Sequence, residues 1–277
     1  MTEDPQWTAF LQWALPQLRM CWSGFRKVRT QVRNRVHKRL QSLQLAGPDD
    51  YRDYLQQHPE EWRMLDTLCR ITISRFYRDK GIYGLLADRI IPGLVEQIRR
   101  EGSRRLHIWS AGCGSGEEPY SLAILWAMQL QQRCPDITLR ILATDVDPQL
   151  LNRARTACYP FSSLKELPAT WRESAFTVSA GRYCLQSAFK SPVLFVEHDV
   201  RGPVPATALQ LILCRNLVYT YYNEGLQREI TQQLVDALQP GGLLVVGSHE
   251  TLPDNVPGFT PLSCNRAIYK KPERATA

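Results

Sequence analysis

The chain has 277 residues, of which 44% are hydrophobic and 22% charged; this composition excludes a disordered chain and a miniature scaffold that depends on disulfides. No apolar run approaches the ~20 residues of a transmembrane helix and the acidic start lacks the order of a signal peptide, so we expect a cytoplasmic protein without membrane insertion. The net charge of +7 is concentrated in residues 5–48, which carry eight Lys or Arg and no Asp or Glu, and this segment predicts an acidic partner.

The first predicted elements are helices. Apolar residues recur every three or four positions from Phe25 to Leu43, which is typical of an amphipathic helix. The start signals at Pro48 and Pro59 predict two further helices. We therefore interpret residues 1–75 as an all-helical domain. Its basic side chains Arg26, Arg29, Arg33 and Arg39 are the candidates for contact with an acidic partner, and the family resemblance described below implies that they dock the substrate.

After Gly102 the pattern changes to short apolar runs that alternate with helical stretches, which predicts an α/β domain with a mostly parallel sheet over residues 76–277. The segment 238–244 predicts a turn from a helix into a late strand. Residues 159–192 fit this rhythm poorly. Around Ala180-Gly181 they predict an inserted antiparallel subdomain.

The glycine-rich stretch 110–120 carries the strongest chemical signal. Gly112, Gly114 and Gly116 follow a predicted strand and precede a helix, where a ligand can lie against the backbone. A turn of this kind by itself is equally consistent with a plain tight turn. Glu117-Glu118 at the helix start would repel a pyrophosphate and suit an ammonium group. S-adenosylmethionine, which has an ammonium and a sulfonium and no phosphate, therefore fits better than a dinucleotide.

Two acidic residues end the next predicted strand. Asp145 stands about 30 residues after the glycine turn, where a carboxylate can accept hydrogen bonds from ribose hydroxyls. Asp147, which precedes Pro148, is expected to cap the following helix. After a late strand, His249 and Glu250 are expected to anchor a loop rather than to act as acid and base.

These stretches together resemble the CheR-type chemoreceptor glutamate O-methyltransferases. The similarity covers residues ~25–270 and runs in the family's order through five blocks, which are 75–79, 110–121, 143–147, 214–216 and 247–250. The resemblance implies a class I methyltransferase (Rossmann-like) fold with a small helical N-terminal domain and an inserted β subdomain. It also implies transfer of a methyl group from S-adenosylmethionine to a glutamate side chain, which gives a methyl ester and S-adenosylhomocysteine.

The resemblance further implies a set of cofactor contacts. Thr72 and Asp199 stand where Asn is expected in better-known members, and both keep a polar group. The positions carried over from the family pattern are Thr72, Ser74, Arg78, Glu117, Asp145, Asp199, Val200, Arg215 and Asn216, beside Gly112 and Gly114 of the turn.

Two residues are candidates for orienting the reaction. A substrate carboxylate is already ionised at neutral pH and needs no general base, so the expected catalytic groups hold it in place. Arg78 can form a forked contact with a carboxylate, and its alternative role is a structural ion pair with Asp79 or another acid. A tyrosine follows the block 214–216, but this segment is one residue longer than the family pattern. Tyr221 is the preferred match, and Thr220 and Tyr219 remain alternatives.

The expected partner is an acidic helical protein such as a chemoreceptor cytoplasmic bundle, and the protein is expected to act as a monomer. Direct docking on the basic helix is favoured over tethering of a receptor peptide to the β subdomain. An RNA methyltransferase and a non-catalytic module that binds S-adenosylmethionine are the alternative functions.

The eight cysteines, at positions 21, 69, 113, 134, 158, 184, 214 and 264, lie more than 20 residues apart. No metal-binding spacing is present, so no metal is expected. We interpret the cysteines as reduced and mostly buried.

Overall fold

The computed structural model describes residues 5–254, 256–263 and 265–273. The chain divides into two compact units: one contains the N-terminal part up to Thr72 together with Asn216–Arg228, and the other contains Ile73–Arg215 and the segment from Glu229 onwards. Among the helices that these residues form, none has the length and apolarity that crossing a bilayer demands.

The first unit is helical. Its amphipathic helix α3 buries Val32, Val36 and Leu40, as the spacing of three or four residues predicts. The predicted helix from Phe25 is interrupted, since α2 ends at Phe25 and α3 begins at Arg29. Gly24 lets α2 approach α12 closely, because a Cβ there would lie 2.0 Å from the carbonyl oxygen of Thr220. The helices of this unit are α1 (Pro5–Gln17), α2 (Trp22–Phe25), α3 (Arg29–Leu43), α4 (Pro48–Gln57), α5 (Glu61–Cys69) and, later in the chain, α12 (Val218–Tyr221).

The second unit is built on a seven-stranded, mostly parallel sheet, as predicted. Its strands are β1 (Arg105–Ala111), β2 (Thr138–Asp145), β6 (Val193–Glu197), β7 (Leu209–Leu213), β8 (Leu238–Val245), β9 (Thr260–Leu262) and β10 (Asn265–Lys270). The strand order is β6-β2-β1-β7-β8-β10-β9, in which only β10 pairs in the antiparallel sense, with β8 and β9. The central strand β7 is buried along its whole length, which is typical of a parallel strand covered on both faces.

The helices of the second unit are α6 (Lys80–Leu85), α7 (Ile91–Arg100), α8 (Glu117–Leu125), α9 (Pro148–Thr156), α10 (Ala169–Ala175) and α11 (Ser187–Lys190). π-helical turns at Leu86–Ile90 and Trp126–Leu130 extend α6 and α8, and a 3-10 turn covers Phe161–Leu164. Helix α13 (Glu224–Ala237) spans the boundary between the two units.

The predicted turn at 238–244 is wrong as stated, because strand β8 already begins at Leu238. Its pairing with β7 shifts register between Leu209 and Leu211. Gly241 has a φ of +76°, so the glycine pair forms an irregularity inside the strand rather than a turn before it.

The inserted antiparallel subdomain is confirmed. Strands β3 (Cys158–Tyr159), β4 (Phe176–Ser179) and β5 (Arg182–Leu185) form a separate sheet in the order β3-β5-β4. Ala180 and Gly181 both have positive φ, as a two-residue hairpin turn requires.

The prediction that all cysteines are reduced is wrong for one pair. Cys158 and Cys184 form a disulfide, because the antiparallel register of β3 and β5 places them directly opposite each other with Cα atoms 4.0 Å apart. Spacing along the chain gave no sign of this register. The free cysteines among the described residues are Cys69, Cys113, Cys134 and Cys214, which are buried, and Cys21, which is half-buried. Cys264 lies outside the described residues.

Candidate functional site

The glycine turn after β1 is held by backbone hydrogen bonds to the neighbouring strand. The N–H groups of Gly112 and Cys113 both donate to the carbonyl oxygen of Thr144, each at 2.8 Å. Gly112, Gly114 and Gly116 all have positive φ. At Gly116 a Cβ would lie 2.9 Å from that of Ala154, so a side chain is excluded by both conformation and space. The turn therefore places bare backbone at the carboxyl end of β1.

Asp145 at the end of β2 faces this turn. Its Oδ2 accepts a hydrogen bond from the N–H of Gly114 at 2.8 Å, and its Oδ1 accepts one from the N–H of Asp147 at 3.0 Å. Burial raises the pKa of Asp145, while these backbone hydrogen bonds oppose the rise. Each carboxylate oxygen retains acceptor capacity for a ligand hydroxyl. Asp147 caps α9, since its Oδ1 accepts from the N–H of Gln149 at 2.8 Å, which confirms its predicted role.

The two glutamates at the start of α8 have different surroundings. Glu117 is only 5% exposed, and its Oε2 is buried with no hydrogen-bond partner among the described residues. Burial raises the pKa of Glu117, and a backbone hydrogen bond and then a hydrogen bond from Ser74 oppose this rise. An unpaired buried carboxylate oxygen beside the glycine turn has the chemistry that an ammonium group requires. The residues present therefore fit the amino end of S-adenosylmethionine.

Glu118 instead belongs to an internal network. Its Oε1 accepts from the hydroxyl of Ser110 at 2.7 Å, and its Oε2 accepts from Nη1 of Arg215 at 3.1 Å. Nη2 of Arg215 donates to Oδ2 of Asp79 at 2.6 Å and to the carbonyl oxygen of Arg78 at 3.1 Å. The predicted cofactor residue Arg215 thus fixes the segment that carries Arg78. Its buried Nε has no partner among the described residues and remains as a donor.

Arg78 does not form the alternative ion pair with Asp79, because Asp79 binds Arg215. Nη1 of Arg78 donates to the carbonyl oxygen of Ile73 at 2.8 Å, and the other N–H donors of the guanidinium are left for a carboxylate. Asp199 is bound to Arg201, with Oδ2 2.6 Å from Nη2, and the next residue, Val200, is buried. Ser74, Arg78, Asp199 and Arg215 therefore all belong to the second unit, as the glycine turn does.

The remaining candidates lie in the first unit. Thr72 is exposed at its end, and Asn216 is half-buried at the start of its later segment. The ring of Tyr221 packs on Phe25 with centroids 5.1 Å apart, and the carbonyl oxygen of Tyr221 accepts from the N–H of Cys21 at 2.8 Å.

The basic side chains of the first unit are not equivalent. Arg39 binds Glu61 with two hydrogen bonds, at 2.9 and 2.7 Å, so its charge is matched internally. Arg26 is exposed, and Arg29 and Arg33 are partly exposed. A docking role is therefore retained for Arg26, Arg29 and Arg33 and not for Arg39.

The network of Ser110, Glu118 and Asp79 around Arg215 is not predicted from the sequence. The adjacent acids Glu117 and Glu118 are its only signal in the sequence, and which of the two faces a ligand depends on contacts between distant residues. Glu250 does anchor its loop as expected, since its Oε2 accepts from the N–H of Gly247 at 2.6 Å. Among the described residues no cluster of His, Cys, Asp and Glu is suited to hold a metal ion.

Two protein families match this chain. The family described as "CheR methyltransferase, SAM binding domain" matches residues 72–268, and "CheR methyltransferase, all-alpha domain" matches residues 27–67. A chemotaxis protein methyltransferase of Listeria innocua is 34% identical over 186 residues, which cover 67% of this chain and 68% of that protein. The chemotaxis protein methyltransferase of Escherichia coli is 31% identical over 235 residues, which cover 80% and 76% of the two chains.

A longer relative is also similar. An uncharacterized 104.1 kDa protein of Rhodobacter capsulatus is 30% identical over 241 residues, which cover 86% of this chain and 25% of that protein. This chain thus spans about a quarter of the length of that relative.

Proposed function

Because this chain belongs to the CheR methyltransferase family, we propose that it methylates glutamate side chains of a chemoreceptor or a related signalling protein, with methyl esters and S-adenosylhomocysteine as the products. S-adenosylmethionine is the cofactor of the matched domain. The observation that carries the proposal is the buried carboxylate of Glu117, whose Oε2 has no partner among the described residues.

Residues of the second unit would hold the cofactor. Glu117 binds the ammonium group of the cofactor, and Asp145 accepts hydrogen bonds from its ribose hydroxyls. The glycine turn lets the cofactor lie against the backbone. When bound, S-adenosylmethionine supplies a methyl group on a sulfonium that a nucleophile can attack. Ser74 contributes by holding the Glu117 carboxylate in its ionised form, since its hydrogen bond lowers the pKa of that residue.

The substrate carboxylate needs orientation more than activation. With a reference pKa near ~4.3 it is ionised at neutral pH, so no base has to remove a proton. Arg78 binds and orients this carboxylate, or the carboxylate of the cofactor, through its remaining N–H donors. Arg215 acts on Arg78 by holding its backbone carbonyl and Asp79. Tyr221 is retained as the second orienting residue.

Substrate docking is assigned to the basic side chains Arg26, Arg29 and Arg33, within the proposed helical domain 1–75. The methyltransferase domain is proposed to be 76–277, with 159–192 as its β subdomain. An acidic helical bundle would be attracted to these cations, and salt would weaken the attraction because the Debye length is only about 8 Å at physiological ionic strength.

The test is methyl transfer from labelled cofactor to purified receptor cytoplasmic fragments, with mass spectrometry of the modified residues. We expect base-labile methyl groups on glutamates. The triple variant Arg26→Gln/Arg29→Gln/Arg33→Gln should have a much higher KM for the receptor fragment. The KM of this variant should no longer depend on salt concentration. The matched control Arg89→Gln/Arg133→Gln/Arg266→Gln changes three exposed cations elsewhere and should not.

Other outcomes would contradict the proposal. Methylation of RNA and not of the receptor fragments would identify a different substrate class. Tight cofactor binding with no transfer to either would indicate a module that only binds the cofactor.

A further inference from the structure

One face of the main sheet is bare at its β6 edge. On β6, Val193 and Phe195 pack against the core around Ala143. Because successive side chains of a strand alternate between faces, Leu194 and Val196 point to the opposite face. There Leu194 is 63% exposed and Val196 is 36% exposed. The register partner of Leu194 on β2, Leu142, is partly exposed and extends this apolar strip across two strands.

The strip is bare because its connection is unusual. A crossover between parallel strands of one sheet is normally a helix that packs on the sheet. The connection from β6 to β7, residues 198–208, is fully described and contains no helix. Its His198 packs edge-on against Trp109 on β1, with ring centroids 5.9 Å apart. The connection thus shields Trp109 and leaves Leu194 and Val196 accessible.

Positive charge lies beside the strip. Arg105 and His107 on β1 and Arg140 on β2 share the strip's face, since His107 pairs in register with Arg140. Burial and then the charges of Arg105 and Arg140 lower the pKa of His107. Arg105 and Arg140 form no salt bridge with a carboxylate of the described residues. By the same alternation Glu197 points to the other face.

We propose that this surface, formed by Arg105, His107, Arg140, Leu142, Leu194 and Val196 and called the bare sheet face below, docks an amphipathic helix of a partner protein with an apolar stripe and acidic flanks. A helix fits because the crossover helix that would normally cover a parallel sheet is absent here. Acidic flanks fit because the cations at the start of β1 and β2 border the apolar strip. A second copy of this chain is disfavoured as occupant by the net charge of +7.

This docking site is distinct from the cofactor site. The cations lie toward the amino ends of β1 and β2, whereas Gly112 and Asp145 follow or end the same strands at their carboxyl ends. The inference therefore does not depend on the proposed methylation of glutamate. Substitutions on the bare sheet face should leave cofactor affinity unchanged.

The probe is a synthetic peptide of about five helical turns, with leucines on one face, glutamates on the other and a benzophenone group on the apolar face. Binding to the full chain is followed by fluorescence anisotropy without cofactor. We expect Leu194→Glu to weaken binding about tenfold or more, because an apolar contact is replaced by a like charge. Arg140→Gln should reduce the salt dependence of binding.

The matched control is Val178→Glu, which changes a side chain that is 66% exposed on the small sheet. It should bind the peptide as the wild type does. Because both side chains are exposed, both variants should keep the thermal midpoint of the wild type. Photocrosslinks should map to segments that contain Leu142 or Leu194. A peptide with lysines in place of the glutamates should bind the wild type about tenfold more weakly.

The proposal is overturned if the wild type does not bind the glutamate peptide, or if Leu194→Glu and Val178→Glu bind it equally well. Crosslinks confined to α3 would place the peptide on the basic helix instead. A wild-type dimer that Leu194→Glu dissociates would identify the bare sheet face as a contact between copies of this chain.

Discussion

Glu61 in α5 and Glu117 at the start of α8 are equally buried, each 5% exposed, yet their surroundings are opposite. Glu61 accepts two hydrogen bonds from Arg39 and one from the hydroxyl of Tyr51 at 2.8 Å. These contacts, Arg39 first, lower the pKa of Glu61 although burial opposes them. Glu117 forms no ion pair with a described cation, and burial raises its pKa although a backbone hydrogen bond, the Ser74 hydroxyl and the charge of Arg153 oppose the rise.

This difference in hydrogen-bond partners distinguishes a carboxylate with a structural role, Glu61, from one that is available to a ligand, Glu117. A buried charge is costly unless it is paired, so a fold gains nothing from leaving a carboxylate oxygen unsatisfied. Glu61 is fully paired within its own helical unit and stabilises it. Glu117 has one carboxylate oxygen, Oε2, without a partner among the described residues, which is understandable if a cationic group of the cofactor completes the pair.

The largest expected effect is that of Glu117→Gln on cofactor affinity. Removing one partner of a buried charged pair costs about 3 kcal/mol, or roughly a hundredfold in Kd. Titration calorimetry with S-adenosylhomocysteine measures it directly. Without cofactor the variant should be at least as stable as the wild type, since an unpaired buried carboxylate is removed. An unchanged Kd would show that Glu117 does not contribute to cofactor binding.

The converse change, Glu61→Gln, should lower the free energy of unfolding by about 2 kcal/mol at neutral pH, because Arg39 loses its ionised partner. Cofactor affinity should stay the same. A depressed folded pKa contributes stability that is present above the unfolded value near ~4.3 and is lost as pH falls through the folded value. Denaturant titrations should therefore show the two proteins converging in acid, and a constant difference at all pH values would contradict this account.

Cofactor affinity should itself depend on pH through Glu117. Its pKa is raised, so its carboxylate becomes protonated at a higher pH than an exposed glutamate would. Binding of the ammonium group requires the ionised form, and affinity should decrease as pH falls through this raised value. The dependence should be absent in Glu117→Gln and present in Glu61→Gln. A Kd that is flat with pH in the wild type would show that Glu117 does not contact the ammonium group.

A smaller effect is expected from Tyr51→Phe. The hydroxyl of Tyr51 donates to Oε1 of Glu61 inside the helical unit. Its loss should lower the free energy of unfolding by about 1 kcal/mol. Arg39 remains in place, so the loss should be less than that of Glu61→Gln. Equal losses in the two variants would mean that Arg39 contributes little.

The smallest effect is expected from Ser74→Ala. The hydroxyl of Ser74 lowers the pKa of Glu117 through a hydrogen bond. Without it, the pH at which cofactor affinity begins to fall should move upward. Affinity at high pH, where Glu117 is ionised in both proteins, should change little. A matched change at an exposed serine, Ser42→Ala, should leave the pH dependence of cofactor affinity unchanged.

The sequence predicts those parts of the fold that depend on local pattern. The spacing of Val32, Val36 and Leu40 predicts the buried face of α3, and the pair Asp147-Pro148 predicts the start of α9. Alternating apolar runs and helices predict the parallel sheet. In each case the sequence pattern lies within one or two helical turns or within one strand. Over such short distances, apolar periodicity and capping residues determine the secondary structure.

Contacts between distant residues are not predictable in this way. Arg39 and Glu61 are 22 positions apart, and Arg215 and Glu118 are 97 apart, so no local pattern reveals that these charges are paired. The same is true of Cys158 and Cys184, whose contact depends on strand register. The sequence therefore predicts which residues are charged near the glycine turn. It does not predict that Glu118 is bound by Ser110 and Arg215 whereas Oε2 of Glu117 has no partner among the described residues.

The central claim is that Glu117 binds the amino end of the cofactor. The most direct measurement compares, by calorimetry, S-adenosylhomocysteine with its analogue that lacks the amino group, on the wild type and on Glu117→Gln. The account predicts that the wild type prefers the amino form by roughly a hundredfold and that the variant shows almost no preference. An equal preference in both proteins would contradict it.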